Sequence, residues 1–368
     1  MDRSSVAKPE ITTVRGIACV ALVAYHVVGT SAVSGMHLPD GSMWHRVLDA
    51  LDFIRMPIFA VVAGYVYARR RVEASSIANF LKSKVLRLAI PLIFVTTTMV
   101  GLRRGAYGAD TSLTTALTSH YQHLWFLQAL LIIFVLMAAC DAYARLSSKG
   151  LGVVALTTLA LSSSIQFPNT FSLNGVVYLA PLFLFGMILR GERQLLDRHH
   201  ARVALWFVML GLILQQVAPL LGGAGLPNTS LPAALCGCGA AYLMLAVCPR
   251  IQLFEMIGAY SYTIYLWHSV AAATAREFAK HYIVLPTPVM FAILLAIGVT
   301  VPIALHFCVR RVPVLATLVA GLRAPGAADV ANTGQRPSGK IESSAPANDN
   351  GILPAPAGAH RSRRQRDS

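Results

Sequence analysis

Charge is scarce in this chain. Only 13% of its 368 residues are Asp, Glu, Lys or Arg, 55% are hydrophobic, and the mean hydropathy is +0.59. A soluble domain carries about twice that charge, so a soluble globular class is excluded. Acidic residues are rarer still, 16 against 31 basic ones. In a soluble protein the resulting net charge of +15 would suggest nucleic acid. Here the basic residues gather in alternate loops between apolar runs and in the C-terminal tail, so no nucleic-acid partner is expected. Cysteine is too sparse for a disulfide framework, since all six lie within or at the edges of apolar runs. Cys236 and Cys238 are two apart, which on a helix turns them about 200° from each other. They read as packing residues, and no metal site is expected. The first apolar segment has no clear small-residue cleavage site and leads straight into further apolar runs, so it reads as a span and not as a signal peptide. Internal repeats are also lacking.

What remains is a series of long apolar runs, and the fold class is all-α, a polytopic transmembrane helical bundle of about ten spans. They cover residues 14–33, 51–68, 85–101, 124–144, 151–166, 175–189, 203–221, 231–248, 256–275 and 288–309. Loop charge sets the orientation. With the N-terminus inside, the inner loops hold Arg69, Arg70, Arg71, Lys82, Lys84, Arg145, Lys149, Arg190, Arg193, Arg198, Arg202 and Arg250. The outer loops hold only Arg46, Arg103, Arg104, Arg276 and Lys280. Both termini are therefore expected to be cytoplasmic, in a multi-pass protein of the inner membrane. Residues 1–13 form a cytoplasmic segment, 14–312 the transmembrane domain, and 313–368 a cytoplasmic tail. From Ala324 the tail is rich in Ala, Pro, Gly, Asn and Ser, a composition that stays disordered.

Ionisable residues inside the spans are the candidate functional groups, because hydrocarbon disfavours them unless they face a cavity or a partner. Arg15 and His26 are eleven residues apart, about three turns plus 20°, so they share a face about 16 Å apart. Arg15 reads either as a snorkelling topology signal or as a site residue, and His26 either as an interhelix hydrogen-bonding residue or as a reactive one. Arg55, near the outer end of the second span, either snorkels outward or faces the cavity. Lys84 and Arg87, three apart in the most basic inner segment, share a helical face and can grip a phosphate from two sides. The same segment also reads as a topology signal attracted to anionic lipid. The fourth span opens with His120-Tyr121-Gln122-His123-Leu124-Trp125-Phe126-Leu127, whose aromatics are interface anchors or the lip of a site. In the ninth, Ser261, Tyr265 and His268 recur at helical spacing and place His268 at a depth comparable with that of His26. His268 reads first as part of a network between helices and second as an active-site contact.

Four of these segments, in this order, resemble the acyltransferase-3 family of integral membrane O-acyltransferases. They are Arg15-Gly16-Ile17-Ala18 with Tyr25-His26, Lys84 and Arg87 before Pro91, His123-Leu124-Trp125-Phe126-Leu127, and Ser261-Tyr262 with Tyr265-Leu266-Trp267-His268. The resemblance covers most of residues 11 to 310. Ala63 stands where the family usually has serine, Lys84 where it has arginine, and Gln128 where some relatives carry glutamate. The resemblance implies transfer of an acyl group, most often acetyl, from cytoplasmic acyl-coenzyme A to a hydroxyl of a glycan or similar acceptor, commonly outside. On that reading His26 is the general base or an acylated intermediate, since a neutral imidazole suits the task. Arg15, Lys84 and Arg87 meet the donor, with Arg15 touching a phosphate or polarising the thioester. Arg55, His123, Trp125, Tyr265 and His268 are the candidate acceptor contacts. Membrane lipids are the other expected partner, and oligomeric state is not readable. Neither a Gly-x-Ser-x-Gly turn nor a His-x4-Asp motif occurs, which disfavours the soluble acyltransferase classes. A transporter or flippase, or a non-catalytic sensor, remains the alternative.

Overall fold

A computed structural model describes residues 9–221, 225–282 and 285–322. Among these the chain is helical throughout, with no strand. In order, the helices are α1 (Pro9–Val28), α2 (Met43–Ala50), α3 (Asp52–Tyr67), α4 (Ile77–Lys84), α5 (Ile90–Tyr107), α6 (Leu113–Thr118), α7 (Trp125–Ala144), α8 (Ser148–Ser164), α9 (Leu173–Gly191), α10 (Arg198–Leu220), α11 (Leu231–Val247), α12 (Gln252–Ala259), α13 (Ser261–Tyr282), α14 (Thr287–Val309) and α15 (Pro313–Ala320). Each of the ten apolar runs lies largely on one of these helices. Six helical segments are long and apolar enough to cross a membrane alone, or seven if α11 and α12, bent by 117°, count as one broken span. Helices α3, α8 and α11 have 16, 17 and 17 residues, at or below the short end of the usual range of about 17 to 25. Large apolar side chains on α8, α10 and α14 point outward, with Trp206 and Leu210 among them. That is how lipid-facing helices look, and the protein is a multi-pass membrane protein.

Lipid supplies no hydrophobic drive between helices, so close backbone approach at small residues holds them together. Gly64 of α3 rests on the carbonyl of Phe183 in α9, and Gly186 of α9 rests on the carbonyl of Val61 in α3. A Cβ at either position would collide with main chain. Gly16 of α1 and Gly258 of α12 make the same kind of crossing, against Phe254 and Thr12. Polar ties reinforce these contacts at the Arg15 end. Arg71 meets the buried Asp141 of α7, with its Nε 3.0 Å from both carboxylate oxygens, while Tyr67 donates to the same carboxylate at 2.8 Å. Arg71 also donates to the carbonyl of Leu146 at 2.9 Å.

Several sequence expectations shift. The first span ends at Val28, not at residue 33, because Gly29 takes φ +86° and turns the chain into a loop whose Met36 amide returns to the carbonyl of Val28. The ninth span does not start at residue 256. A break at Tyr260 separates α12, which lies across α1, from α13. Between α4 and α5 the run Val85–Ala89 is π-helical, so three-residue spacing across it no longer means one α-helical face. Residues 313–320, read as the start of the tail, form α15, and the Trp267 indole donates to the carbonyl of Val319 at 2.9 Å. The disordered tail expected from Ala324 and the first eight residues lie outside the described residues.

Candidate active site

Helix α1 delivers His26 in its last turn, and the Gly29 turn that follows leaves the imidazole half-buried against a cavity of about 1020 Å³. Two further histidines arrive from distant parts of the chain. His123 comes from the 3-10 turn Gln122–Leu124 that leads into α7, a turn that puts Gln122 at φ +47°. His268 comes from the middle of α13 and is 0% exposed. The ring centroids of the three stand 5.0 Å (His26–His268), 5.6 Å (His26–His123) and 4.8 Å (His123–His268) apart.

Backbone geometry fixes the state of His268. Its Nδ1 lies 2.9 Å from the carbonyl oxygens of both Ile264 and Tyr265, and both can only accept. Nδ1 therefore carries the proton, and Nε2 keeps a lone pair with no hydrogen-bond partner among the described residues. His123 is held by the Tyr265 hydroxyl, which donates to the His123 carbonyl, and by Ser269, whose Oγ is 3.3 Å from its Nδ1. Its Nε2 is likewise buried with no hydrogen-bond partner among the described residues. Among the described residues no three His, Cys, Asp or Glu side chains converge as metal ligands do.

Arg55 is buried, 6% exposed, and lines the cavity instead of snorkelling outward. It pairs with Asp52 one turn earlier on α3, and its guanidinium carbon stands 3.1 Å from the centroid of the Tyr25 ring. Trp125 also lines the cavity, stacked on His120 with centroids 5.0 Å apart and planes 14° from parallel. Gly175 of α9 leaves room for the edge of its indole.

Arg15, Lys84 and Arg87 do not line this cavity. Arg15 donates from Nη2 to Ser261 Oγ at 2.7 Å. Since Arg15 meets Ser261 and His26 meets His268, α1 and α13 run in the same direction, and one face of α13 serves both ends of the α1 pair. Between them the α1 face is filled by Cys19 and Leu22, 0% and 1% exposed. Lys84 places its ammonium 3.4 Å from the centroid of the Phe134 ring, whereas Arg87 is exposed and its carbonyl accepts from Tyr262 at 2.6 Å. The π-helical run Val85–Ala89 begins between the two, with Lys84 over an aromatic ring and Arg87 turned to the surface. Sequence reasoning did not single out Tyr25, His120, Arg103, Arg276, Glu277 or Lys280 as site residues, yet all line the cavity. The signal for the basic ones lies in the sequence, as a handful of cations in otherwise charge-poor outer loops.

A half-buried histidine at the inner end of a cavity in a multi-pass helical bundle, backed by two more histidines, defines a membrane protein built around a candidate acid-base site. A family model described as an acyltransferase domain matches residues 8–307, and the chain belongs to that acyltransferase-3 family. It is a membrane acyltransferase. No curated protein and no solved structure matches it.

Proposed function

We propose that this acyltransferase moves an acyl group, in the simplest case acetyl, from acyl-coenzyme A to a hydroxyl of an exported or cell-surface glycan. We place it in the inner membrane with the His26 end outward. The observation that carries the reading is His26 itself, an imidazole open to a substrate-sized cavity and backed by a neighbour of fixed tautomer. The hydroxyl gives its proton to His26 as its oxygen attacks the thioester carbonyl carbon. The carbon–sulfur bond then breaks, and the leaving sulfur takes the proton back from His26, which yields an ester and a free thiol. The unpartnered Nε2 lone pair of His268, in a ring 5.0 Å away, favours the imidazolium formed in between. Arg55 and Trp125 present a cation and an aromatic face to the acceptor.

Arg15 and the exposed Arg87 suit the phosphates of coenzyme A, with Lys84 behind them. Cys19 and Leu22 fill the α1 face between that end and His26, so a donor reaching upward along this face parts α1 from its neighbours there. The test compares wild type with His26→Ala, both verified in the membrane, using labelled acetyl-coenzyme A and following base-labile label in surface glycan. Loss of a general base is expected to cut the label by about 10²-fold or more. Equal labelling would remove His26 from the chemistry.

A further inference from the structure

The cavity is not charge-neutral. Its lining contains Arg55, Arg103, Arg276 and Lys280 against Asp52 and Glu277. Three of the five basic residues in loops assigned to the outside (Arg103, Arg276 and Lys280) therefore lie on one cavity. In an outer surface otherwise poor in cations, that gathering does not serve topology, since it opposes the charge bias that sets orientation.

These cations are differently engaged. Arg55 is paired with Asp52, yet its buried Nε and Nη1 have no hydrogen-bond partner among the described residues. Arg276 is bound to Glu277 and to the carbonyl of Gly35, which pins the loop after α1. Lys280 donates to Glu277 at 3.1 Å and to His37 Nε2 at 3.3 Å. That imidazole is free to accept because its Nδ1 donates to the carbonyl of Ala32 at 3.1 Å. Arg103 is exposed and has no carboxylate partner among the described residues. Glu277 thus answers two cations at once, and Arg103 none. With four cations against two carboxylates the cleft is net positive, and its low-dielectric walls focus that field on what enters it.

We propose that this cavity selects an acceptor bearing an oxyanion, a carboxylate or a phosphate, near the hydroxyl to be acylated, with Arg103 and Lys280 at the mouth meeting that group. The proposal rests on the acyltransferase reading for the word acceptor, though not for the binding itself. The donor's phosphates are the competing source of negative charge. They are assigned to the other end of the bundle, where Arg15 and Arg87 lie.

The test uses the purified full-length chain and three probes: an oligosaccharide of uronic acids, a hexose phosphate and a neutral glucose oligosaccharide. Binding is followed at two ionic strengths, with free coenzyme A as competitor. At least one anionic probe is expected to bind about tenfold more tightly than the neutral one and to weaken with salt. Whichever anionic probe wins identifies the group. Arg103→Gln and Lys280→Gln should each weaken that binding about fivefold. Arg104→Gln, next in the chain but outside the cavity lining, should leave it unchanged. Equal affinity for neutral and anionic probes overturns the proposal. So does an equal loss in Arg104→Gln, or coenzyme A displacing the anionic probe with the same dependence on Arg103. These outcomes are separable from the transfer reading: ester formed on a neutral acceptor would uphold the enzyme and sink the anion preference. Anion binding without ester on any acceptor would do the reverse.

Discussion

At the residue scale the site turns on which nitrogen of each histidine carries its proton. His268 has no freedom in this respect, because two carbonyls claim Nδ1 and leave Nε2 as a buried lone pair beside His26. A lone pair so placed matters most when His26 becomes positive, which happens only during transfer. His268→Gln is therefore expected to lower kcat about tenfold or more while the acceptor KM stays within about twofold. A parallel rise in KM with unchanged kcat would make His268 a binding residue instead. Arg15 makes a different prediction, because it donates to Ser261 and does not line the cavity. Arg15→Lys keeps the charge and loses the planar fork, so the donor KM should rise about fivefold or more with little change in acceptor KM. A lone fall in acceptor affinity would move Arg15 from the donor to the cavity.

At the element scale, helix crossings decide whether these residues meet. The reciprocal glycine contacts of α3 and α9 hold Arg55 and the wall behind Trp125 in place, and each leaves no space for a side chain. Gly64→Val should lose about 3 kcal/mol or more through forced separation of the two helices, read as a lower melting temperature in detergent. Gly101→Ala, on an α5 surface with nothing within 4 Å, should be neutral or stabilise by up to about 1 kcal/mol. The buried Asp141 offers a second check, since Asp141→Ala takes the carboxylate from Tyr67 and from the partly exposed Arg71, which keeps only the Leu146 carbonyl, and should cost about 1 to 3 kcal/mol. Much of this scaffold was legible: apolar length and loop charge located the helices, and helical spacing put Arg15 on one face with His26 and Tyr265 on one face with His268. Two breaks were not legible, because the break at Tyr260 and the π-helical turn at 85–89 are set by packing against other helices, whereas the turn at Gly29 had a local sign, a glycine just past the helix end. No local pattern announces such partners. The gathering of His26, His123 and His268 was equally hidden, since each sits in a separate segment and only the tertiary fold brings the rings together.

At the scale of the whole molecule, two polar ends lie along α1: the Arg15 end, with Lys84, Arg87 and Arg71, and the His26 end, with the cavity. Basic residues are concentrated at the first, and the proposed orientation turns that end to the cytoplasm, as the positive-inside rule favours. On that proposal the cavity opens to the opposite side, and the proposed acceptor is modified there without entering the cell. Introduced cysteines test this directly once the exposed Cys140 and Cys308 and the half-buried Cys238 and Cys248 are replaced by serine, leaving only the buried Cys19 and Cys236. In intact cells a membrane-impermeant maleimide should label Arg104→Cys, on the cavity side, and should reach Arg145→Cys only after the cells are broken. The reverse pattern would turn the protein over and place the cavity, and with it the acceptor, in the same compartment as acyl-coenzyme A. Donor and acceptor would then share the mouth lined by Arg103 and Lys280, and no parting of α1 at Cys19 and Leu22 would be required. The labelling result thus decides between transfer across the membrane and transfer on one side of it.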